Sequence, residues 1–246
     1  MSEIFRCIPV PSALFFQEMH HLDFLAETLT SDLKAGASLG RARHIRIWSA
    51  ACATGEEAYS IALSLLDALN DSAASSPTIY QPGGWRIEVV ASDADEAMLA
   101  AATEGVYEEG SLRDVPEDLK KRYFLRGRGD MTGRVRVKQR LAELVHFHCL
   151  HLEEQPWPVQ GPFDAIFVRN FVTGLPPEAQ ETILREMLRY LHPHAYLILG
   201  SSEQVPWLKD AVQSIGKGIY QLRPHGRATY TGGERRIHSR APRAVE

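Results

Sequence analysis

From residue 45 onward, short apolar runs alternate with segments of helical periodicity, and this alternation limits the fold more than any other feature of the sequence. The predicted strands cover 45–49, 87–92, 145–150, 163–168, 196–200 and 218–222. The predicted helices between them cover 57–69, 96–105, 177–191 and, briefly, 207–212. Strands that alternate with helices predict an α/β fold, with a mostly parallel twisted sheet and helices on both of its faces.

Other segments lie outside this alternation. Apolar residues at three- and four-residue steps predict a helix over 12–35, within an N-terminal helical segment of 1–40. A helix, a Gly-rich turn and the alternating "RVRVK" predict a small β-subdomain inserted at about 106–142 of an α/β domain that spans 41–223. The Ser-, Pro- and Gly-rich stretch at 70–84 predicts a surface loop. The arginine-rich residues 224–246 predict a disordered tail.

Composition argues against several classes of function. With 246 residues, of which 44% are hydrophobic, the chain can bury a full core. Its net charge of −4 disfavours nucleic-acid partners, and no apolar run is long enough for membrane insertion. Cys7, Cys52 and Cys149 are far apart, which fits a reducing compartment and gives no zinc framework. Because the N-terminus lacks a signal-peptide pattern, we expect a cytoplasmic protein.

The loop after the first predicted strand, in "SAACATGEEAYSIAL", has very small side chains before two adjacent carboxylates. In open parallel sheets this turn is the usual ligand contact. Ala51 and its small neighbours would let a ligand lie against the main chain. The T-x-x-E spacing of Thr54 and Glu57 predicts a capping box where the next helix begins. The alternative is a capped helix that simply packs tightly on the strand.

The charge of this loop indicates which ligand it would hold. A dinucleotide site normally uses G-x-G-x-x-G, whereas this loop has one glycine. Glu56 and Glu57 would also place negative charge where two phosphates must bind, which disfavours NAD and ATP. A cationic ligand fits better, and S-adenosylmethionine carries both an α-ammonium and a sulfonium. One glutamate of the pair can then face the ligand and the other the helix cap.

Asp93 ends the second predicted strand, in "IEVVASDADEAML", where an acidic side chain can accept hydrogen bonds from both ribose hydroxyls of a nucleoside. The loop at 70–84 accounts for the long spacing between Gly55 and Asp93. Asp93 can alternatively cap the following helix, although Asp95 is better placed for that role. The sequence therefore predicts a ribose site at the end of the second strand.

Seven stretches of the sequence resemble the CheR-type methyltransferases, which esterify chemoreceptor glutamates with S-adenosylmethionine. They are "FFQEMHHL", "RIWSAACATGEEAYSIAL", "VVASDADEAML", "GVYEEGSLRDVPEDLKKRYFLRG", "RVRVKQRLAELVHF", "GPFDAIFVRN" and "LRYLHPHAYLILGSSE". The resemblance runs from about Leu14 to Leu222 and implies a Rossmann-like methyltransferase domain with an inserted β-subdomain. It implies a protein substrate, such as a chemoreceptor cytoplasmic domain or another signalling protein, and S-adenosylhomocysteine as product. We expect the chain to lack the family's N-terminal helical domain, which resembles a receptor-docking module.

The resemblance also implies a set of site residues. His151 and Leu152 stand where the family usually has Asn-Leu, flanking the adenine. Asn170 and Phe171 stand at the family's R-N-x position, beside the methionine part of the cofactor. The implied cofactor-binding residues are Ala13, Gln17, Ala51, Glu56, Glu57, Asp93, His151, Leu152, Asn170 and Phe171.

Three positions depart from the family on the acceptor side. Gln17 replaces the arginine of T-A-F-F-R-E, Ala13 replaces its threonine, and Gly174 replaces the tyrosine of V-M-I-Y-F. An ionised carboxylate needs no general base, so alignment and desolvation can supply the rate. Gln17 can donate a neutral hydrogen bond, roughly half as strong as a charge-assisted one. Arg169 is either a carboxylate anchor or part of a structural ion pair, and Gln17 and Arg169 are the predicted catalytic residues.

Three functions follow from these observations. The first is a methyltransferase of the CheR type that acts on protein carboxylates. The second is a protein that binds the cofactor as a sensor or scaffold without efficient transfer. The third is a methyltransferase with a different acceptor.

The histidines of the sequence predict no metal site. His20 and His21 are adjacent, so on a helix their side chains should point about 100° apart and share no metal-binding face. His146 and His148 alternate on one strand face, with no cysteine or carboxylate cluster beside them. Packing or local hydrogen bonding is the expected role of His20 and His21.

Overall fold

A computed structural model describes residues 14–38, 42–69, 84–171 and 174–224. The predicted site residue Ala13, most of the loop at 70–84 and the tail from residue 225 lie outside the described residues. Within the described ranges, the helices are all too short or too polar to cross a membrane.

In the described residues, ten strands form two sheets. They are β1 His44–Ala50, β2 Arg86–Asp93, β3 Val106–Glu108, β4 Phe124–Arg126, β5 Arg134–Val137, β6 Val145–Cys149, β7 Phe163–Phe167, β8 Leu191–Ile198, β9 Val212–Gly216 and β10 Ile219–Leu222. The main sheet has the order β6-β2-β1-β7-β8-β10-β9, and its first five strands run parallel. β10 and β9 extend one edge in antiparallel pairing. This sheet confirms the predicted α/β fold.

Helices cover the main sheet, and a second small sheet lies beside it. The helices are α1 Met19–Phe24, α2 Thr30–Ser38, α3 Glu56–Leu69, α4 Glu96–Glu104, α5 Glu117–Tyr123, α6 Gln139–Ala142 and α7 Pro177–Leu188. A π-helical turn joins α1 to α2. The second sheet has the antiparallel order β3-β5-β4 and is the predicted β-subdomain.

Two of the predicted helices differ from the structure. In the described residues the first begins at Met19, because residues 15–18 form turns and Glu18 has a left-handed backbone with φ of 53°. The helix predicted over 207–212 is wrong: a single 3-10 turn at Pro206–Leu208 leads into β9. β9 and β10 form a hairpin around "GKG", where residues 216–218 all have positive φ.

The central strand β1 is buried on both faces, as expected for a parallel sheet covered by helices. Ile45 and Ile47 belong to the apolar core that also includes much of α3. Trp48 and Ala50 belong to the core on the opposite face, which includes the buried side of α7. Both cores hold β1 firmly, so the loop that follows it is anchored at the carboxyl edge of the sheet.

Candidate functional site

The C-terminal ends of the parallel strands bring the predicted site residues together. The loop with Ala51 follows β1, Asp93 ends β2, His151 follows β6 and Asn170 follows β7. Because β1 lies between β2 and β7, the loop at Ala51 lies between Asp93 and Asn170. Ser201 follows β8, the next parallel strand. The site therefore occupies the edge of the sheet where ligands of open α/β folds bind.

The loop after β1 presents main chain rather than side chains. Ala51, Ala53 and Gly55 have positive φ angles of 58°, 46° and 89°. A Cβ atom on Gly55 would lie 2.9 Å from the Cβ of Ala102, so only glycine fits at this position. Left-handed backbone at two alanines is unfavourable, and such conformations cluster at ligand sites. The small side chains therefore belong to a tightly bent turn whose backbone a ligand can approach.

Asp93 supports this turn and keeps acceptor capacity. Its carboxylate accepts the amide N–H of Ala53 at 2.8 Å and that of Asp95 at 3.0 Å. A carboxylate has about four acceptor positions, so roughly half remain for a ligand. Asp95 accepts hydrogen bonds from the amides of Ala97 and Met98, which confirms its predicted role as the cap of α4.

The two residues predicted beside the adenine follow β6, next to Asp93. The amide of Leu150 donates to the carbonyl of Asp93 at 2.9 Å, which fixes the start of this loop. His151 is exposed, and Leu152 is buried with its carbonyl accepting the indole N–H of Trp157 at 3.2 Å. An apolar side chain and an exposed imidazole therefore lie beside the predicted ribose site, and their contact with adenine stays a prediction.

The adjacent glutamates have different surroundings. Glu56 is 6% exposed, and its carboxylate accepts the Thr54 hydroxyl at 2.6 Å. Glu57 accepts the Ser49 hydroxyl at 2.6 Å and the Nε–H of Arg169 at 2.5 Å, at the ends of β1 and β7. The predicted capping box is wrong, because Thr54 bonds to Glu56, Glu57 bonds to Arg169, and α3 begins at Glu56. Glu57 is therefore the glutamate at the strand ends.

The buried Glu56 gives a prediction about stability and pH. Burial raises its pKa, and the hydrogen bond from Thr54 offsets only part of this effect. The contribution of such a group to stability is present below its ordinary pKa of 4.5 and is lost as pH rises through the raised value. We expect Glu56→Gln, which keeps the acceptor for Thr54, to raise the free energy of unfolding at neutral pH by on the order of 1 kcal/mol.

Urea unfolding at neutral and acid pH tests this expectation. The gain should vanish below the ordinary glutamate pKa, because the wild-type side chain is then neutral in both states. Glu153→Gln is the control, since that side chain is exposed. A Glu56→Gln variant less stable than wild type at neutral pH would contradict the conclusion that burial raises the pKa of Glu56.

Arg169 lies between two carboxylates with its side chain 8% exposed. Its Nε–H donates to Glu57, and its Nη1 donates to Glu18 and to the main-chain carbonyl of Gln17, both at 3.0 Å. Burial alone would lower the pKa of Arg169, but the two carboxylates outweigh it and raise that pKa. These contacts support the ion-pair alternative, while a role as carboxylate anchor stays a prediction.

The residues numbered 14–18 form a strap that crosses the site from the subdomain to the loop after β8. Phe15 packs edge-on against two aromatic rings of the subdomain, with ring centroids 4.9 and 5.4 Å away. Glu18 accepts hydrogen bonds from the amide and the hydroxyl of Ser201. Burial would raise the pKa of Glu18, but these bonds and the charge of Arg169 together lower it. The strap is therefore held at both ends.

Two carboxylates of this site, Glu18 and Glu203, are not among the site residues predicted from the sequence. Glu203 is 4% exposed, and its Oε2 accepts the amides of Gly200 at 2.7 Å and Asn170 at 3.2 Å. Its carboxylate thus joins the loops after β7 and β8. Both residues end stretches that resemble the family, "FFQE" and "GSSE", and this position could have indicated them as site residues.

Two of the three positions that depart from the family on the acceptor side, Gln17 and Gly174, belong to the described residues. Gln17 and Gly174 are exposed. Asn170 is exposed with φ of 60°, and Phe171 is half-buried against the core that includes α7. The cofactor contacts predicted for Asn170 and Phe171 stay predictions, and Ala13 lies outside the described residues.

The prediction that His20 and His21 diverge is wrong. Their ring centroids are 4.1 Å apart, and both Nε2 atoms approach the carbonyl oxygen of Lys217, at 3.3 and 2.7 Å. Together with Glu18 they offer ligand atoms within 4.8 Å of one another. The guanidinium of Arg169, bonded to Glu18, adds a positive charge that disfavours a cation there. The absence of a metal stays a prediction.

Residues 12–220 match the protein family described as "CheR methyltransferase, SAM binding domain". The chain belongs to this family. Membership confirms the predicted methyltransferase class and its cofactor, S-adenosylmethionine. The donor set of this CheR-family chain fits that cofactor, because the carboxylates of Glu57 and Asp93 lie on either side of the half-buried main-chain turn at Ala51.

Relatives of this CheR-family chain are chemotaxis proteins. "Chemotaxis protein methyltransferase 2" of Pseudomonas aeruginosa is 38% identical, over 84% of this chain and 68% of that protein. The chemotaxis protein methyltransferase of Salmonella typhimurium is 40% identical, over 85% of this chain and 65% of that protein. That of Escherichia coli is 38% identical, over 85% and 66%. The chain therefore spans about two thirds of the length of these relatives.

Proposed function

We propose that this CheR-family chain transfers a methyl group from S-adenosylmethionine to glutamate carboxylates of a cytoplasmic protein, such as the signalling domain of a chemoreceptor. The placement of Glu57 and Asp93 around the turn at Ala51 is the observation that carries the proposal. The names of the relatives, all chemotaxis protein methyltransferases, support the class of acceptor.

In this mechanism the bound cofactor supplies an activated methyl group. When the cofactor is bound, Asp93 would hold the ribose hydroxyls, His151 and Leu152 would flank the adenine, and Glu57 would offer negative charge to the α-ammonium. The acceptor carboxylate is already ionised at neutral pH, so no residue has to remove a proton. The chain's own residues contribute by aligning the acceptor and excluding water.

Calorimetry with S-adenosylhomocysteine and a transfer assay test the proposal together. We expect the chain to bind the nucleoside and to label a receptor-derived glutamate peptide with methyl groups that are released by base, as carboxyl esters are. A chain that binds no S-adenosylhomocysteine would contradict the proposal. Base-stable labelling would instead indicate a different acceptor.

The variant Gln17→Arg/Gly174→Tyr should raise kcat/KM for the glutamate peptide by about tenfold, because a charge-assisted hydrogen bond to the acceptor carboxylate replaces a weaker neutral one. Both positions are exposed, so the larger side chains have room. Initial rates at saturating cofactor measure the effect, and the thermal unfolding temperature is the control that should stay unchanged. An unaltered rate with unaltered thermal unfolding would show that these positions do not face the acceptor.

A second candidate function is cofactor binding without efficient transfer, in a sensor or scaffold. The exposed Gln17 and Gly174 favour it, because they leave the acceptor side without a charged or aromatic side chain at those two positions. This candidate is supported if the wild-type chain binds S-adenosylhomocysteine, transfers nothing, and gains activity in the double variant.

A further inference from the structure

A cavity of about 370 Å³ opens between the loop after β8 and the β9–β10 hairpin. Ser201 and Glu203 line it on the loop side, and Lys217 and Tyr220 line it on the hairpin side. Its size is that of a site for a few side chains or a small ligand. The cavity lies beyond the strap and is separate from the turn after β1 that forms the predicted cofactor site.

The wall of this cavity is positively charged, although the chain as a whole is negative. Among the described residues, Lys209, Lys217 and Arg223 line the cavity with one carboxylate, that of Glu203. Glu203 is buried, with its Oε2 accepting main-chain amides of the loops after β7 and β8. All three basic side chains are exposed, and in the described part of the chain Lys209 and Lys217 form no ion pair. The wall thus carries uncompensated positive charge in a protein of net charge −4.

The cavity adjoins the acceptor side of the site. Ser201 lines the cavity and donates both its amide and its hydroxyl to Glu18 of the strap. Gln17 is the neighbour of Glu18, and its side chain is exposed. The carbonyl of Lys217 accepts hydrogen bonds from the histidines that follow the strap. A substrate segment that brings its glutamate to Gln17 therefore passes the rim of the basic cavity.

Negative charge in the site opposes the approach of an acidic acceptor. In the described part of the chain, the site contains the carboxylates of Glu18, Glu57 and Asp93 and the guanidinium of Arg169. An approaching carboxylate is repelled by this excess of negative charge. Basic side chains at the entrance offset that repulsion and raise the local concentration of an acidic partner.

We propose that the basic cavity holds an acidic stretch of the protein substrate that flanks the acceptor glutamate. The inference rests on the proposed function, since it assigns the cavity to the same substrate. Lys209 and Lys217 bind carboxylates of the flanking stretch, while Arg223, whose Nε–H donates to the carbonyl of Val212, adds fixed positive charge. Binding through this cavity selects acceptor glutamates that lie in acidic surroundings.

Fluorescence anisotropy with the full chain tests the proposal without requiring transfer. One labelled peptide has its central glutamate flanked by aspartate and glutamate, and its partner peptide has asparagine and glutamine at those positions. We expect Lys209→Glu/Lys217→Glu to weaken binding of the acidic peptide about tenfold, because each reversal removes an exposed attraction and adds a similar repulsion. Binding of the amide peptide should stay within about twofold, and added salt should weaken only the acidic peptide.

Two further variants make the result specific. Lys209→Gln/Lys217→Gln, which removes charge without adding repulsion, should weaken acidic-peptide binding about threefold. Lys121→Glu on α5 is the matched control, because it reverses an exposed lysine outside the cavity and should change nothing. Equal affinity of the wild-type chain for both peptides, or equal effects of Lys121→Glu and the cavity variants, would overturn the proposal.

The same measurements distinguish a failure of the proposed methyltransferase function from a failure of the cavity proposal. If the protein prefers the acidic peptide but binds no S-adenosylhomocysteine, the cavity assignment is supported and the methyltransferase proposal is contradicted. A chain that binds the nucleoside and methylates both peptides with the same KM keeps the methyltransferase proposal and loses the cavity assignment.

Discussion

Replacing Arg169 with methionine is expected to lower the free energy of unfolding by about 3 kcal/mol, the scale measured when one partner of a buried ion pair is removed. The guanidinium is the shared partner of Glu57 and Glu18, whose side chains are 15% and 23% exposed. Methionine fills similar volume but leaves both carboxylates without their cation in a partly desolvated site. Urea unfolding at neutral pH measures the loss.

Two variants decide whether the loss comes from the unpaired carboxylates. Arg185→Met on α7 removes an arginine that is 40% exposed and paired with Glu181 and Asp210, so it should cost less than about 1 kcal/mol. Adding Glu18→Gln and Glu57→Gln to Arg169→Met should restore most of the lost stability, since neither side chain is then a carboxylate without its cation. If Arg169→Met is as mild as Arg185→Met, the ion pair is not structural and the role of carboxylate anchor gains support.

Asp93→Asn should weaken S-adenosylhomocysteine binding about a hundredfold. Two hydrogen bonds from ribose hydroxyls to a carboxylate are each worth roughly 1.5 kcal/mol or more, and about 1.4 kcal/mol corresponds to a factor of ten in affinity. Asparagine keeps one carbonyl oxygen, but its NH₂ group cannot accept a hydrogen bond from a ribose hydroxyl or from either of the two amides that Asp93 now binds. Isothermal titration calorimetry gives the affinity directly.

Asp95→Asn is the matched control for this experiment. It removes the same charge two residues away, and asparagine caps helices about as well as aspartate, so α4 keeps its cap. Thermal unfolding of both variants shows whether the turn after β1 survives the loss of the bond between Asp93 and the Ala53 amide. Equal nucleoside affinity of the two variants would show that Asp93 does not bind the ribose.

The sequence predicted the sheet well because strand and helix signals are local. The strand predicted over 87–92 is observed at Arg86–Asp93, and the helix predicted over 57–69 is observed at Glu56–Leu69. The small residues after β1 likewise predicted a turn that leaves its backbone open. The error at 207–212 arose where a pair of antiparallel edge strands replaces the helix–strand alternation, and the "GKG" turn was the overlooked signal.

The side-chain partners in the site could not be read from the sequence. Arg169 bonds to Glu57 and Glu18, which are 112 and 151 positions away in the sequence. No local pattern indicates which carboxylates this arginine contacts. The T-x-x-E spacing predicted a local cap for Glu57, but the attraction of Arg169 across the sheet decides its position. His20 and His21 converge for a similar reason, since both bond to the carbonyl of Lys217 on a distant hairpin.

The sequence by itself determined the α/β architecture, the turn of small residues after β1 and the acid at the end of β2, because periodicity, residue size and strand termini are local properties. Only the tertiary structure decided that Glu57 rather than Glu56 lies at the strand ends, that Arg169 joins it to Glu18, and that basic side chains surround one cavity. Those arrangements depend on strand order and on the left-handed backbone of the strap, which bring together charges far apart in the chain. Coulomb interactions act over distance in space and not along the sequence.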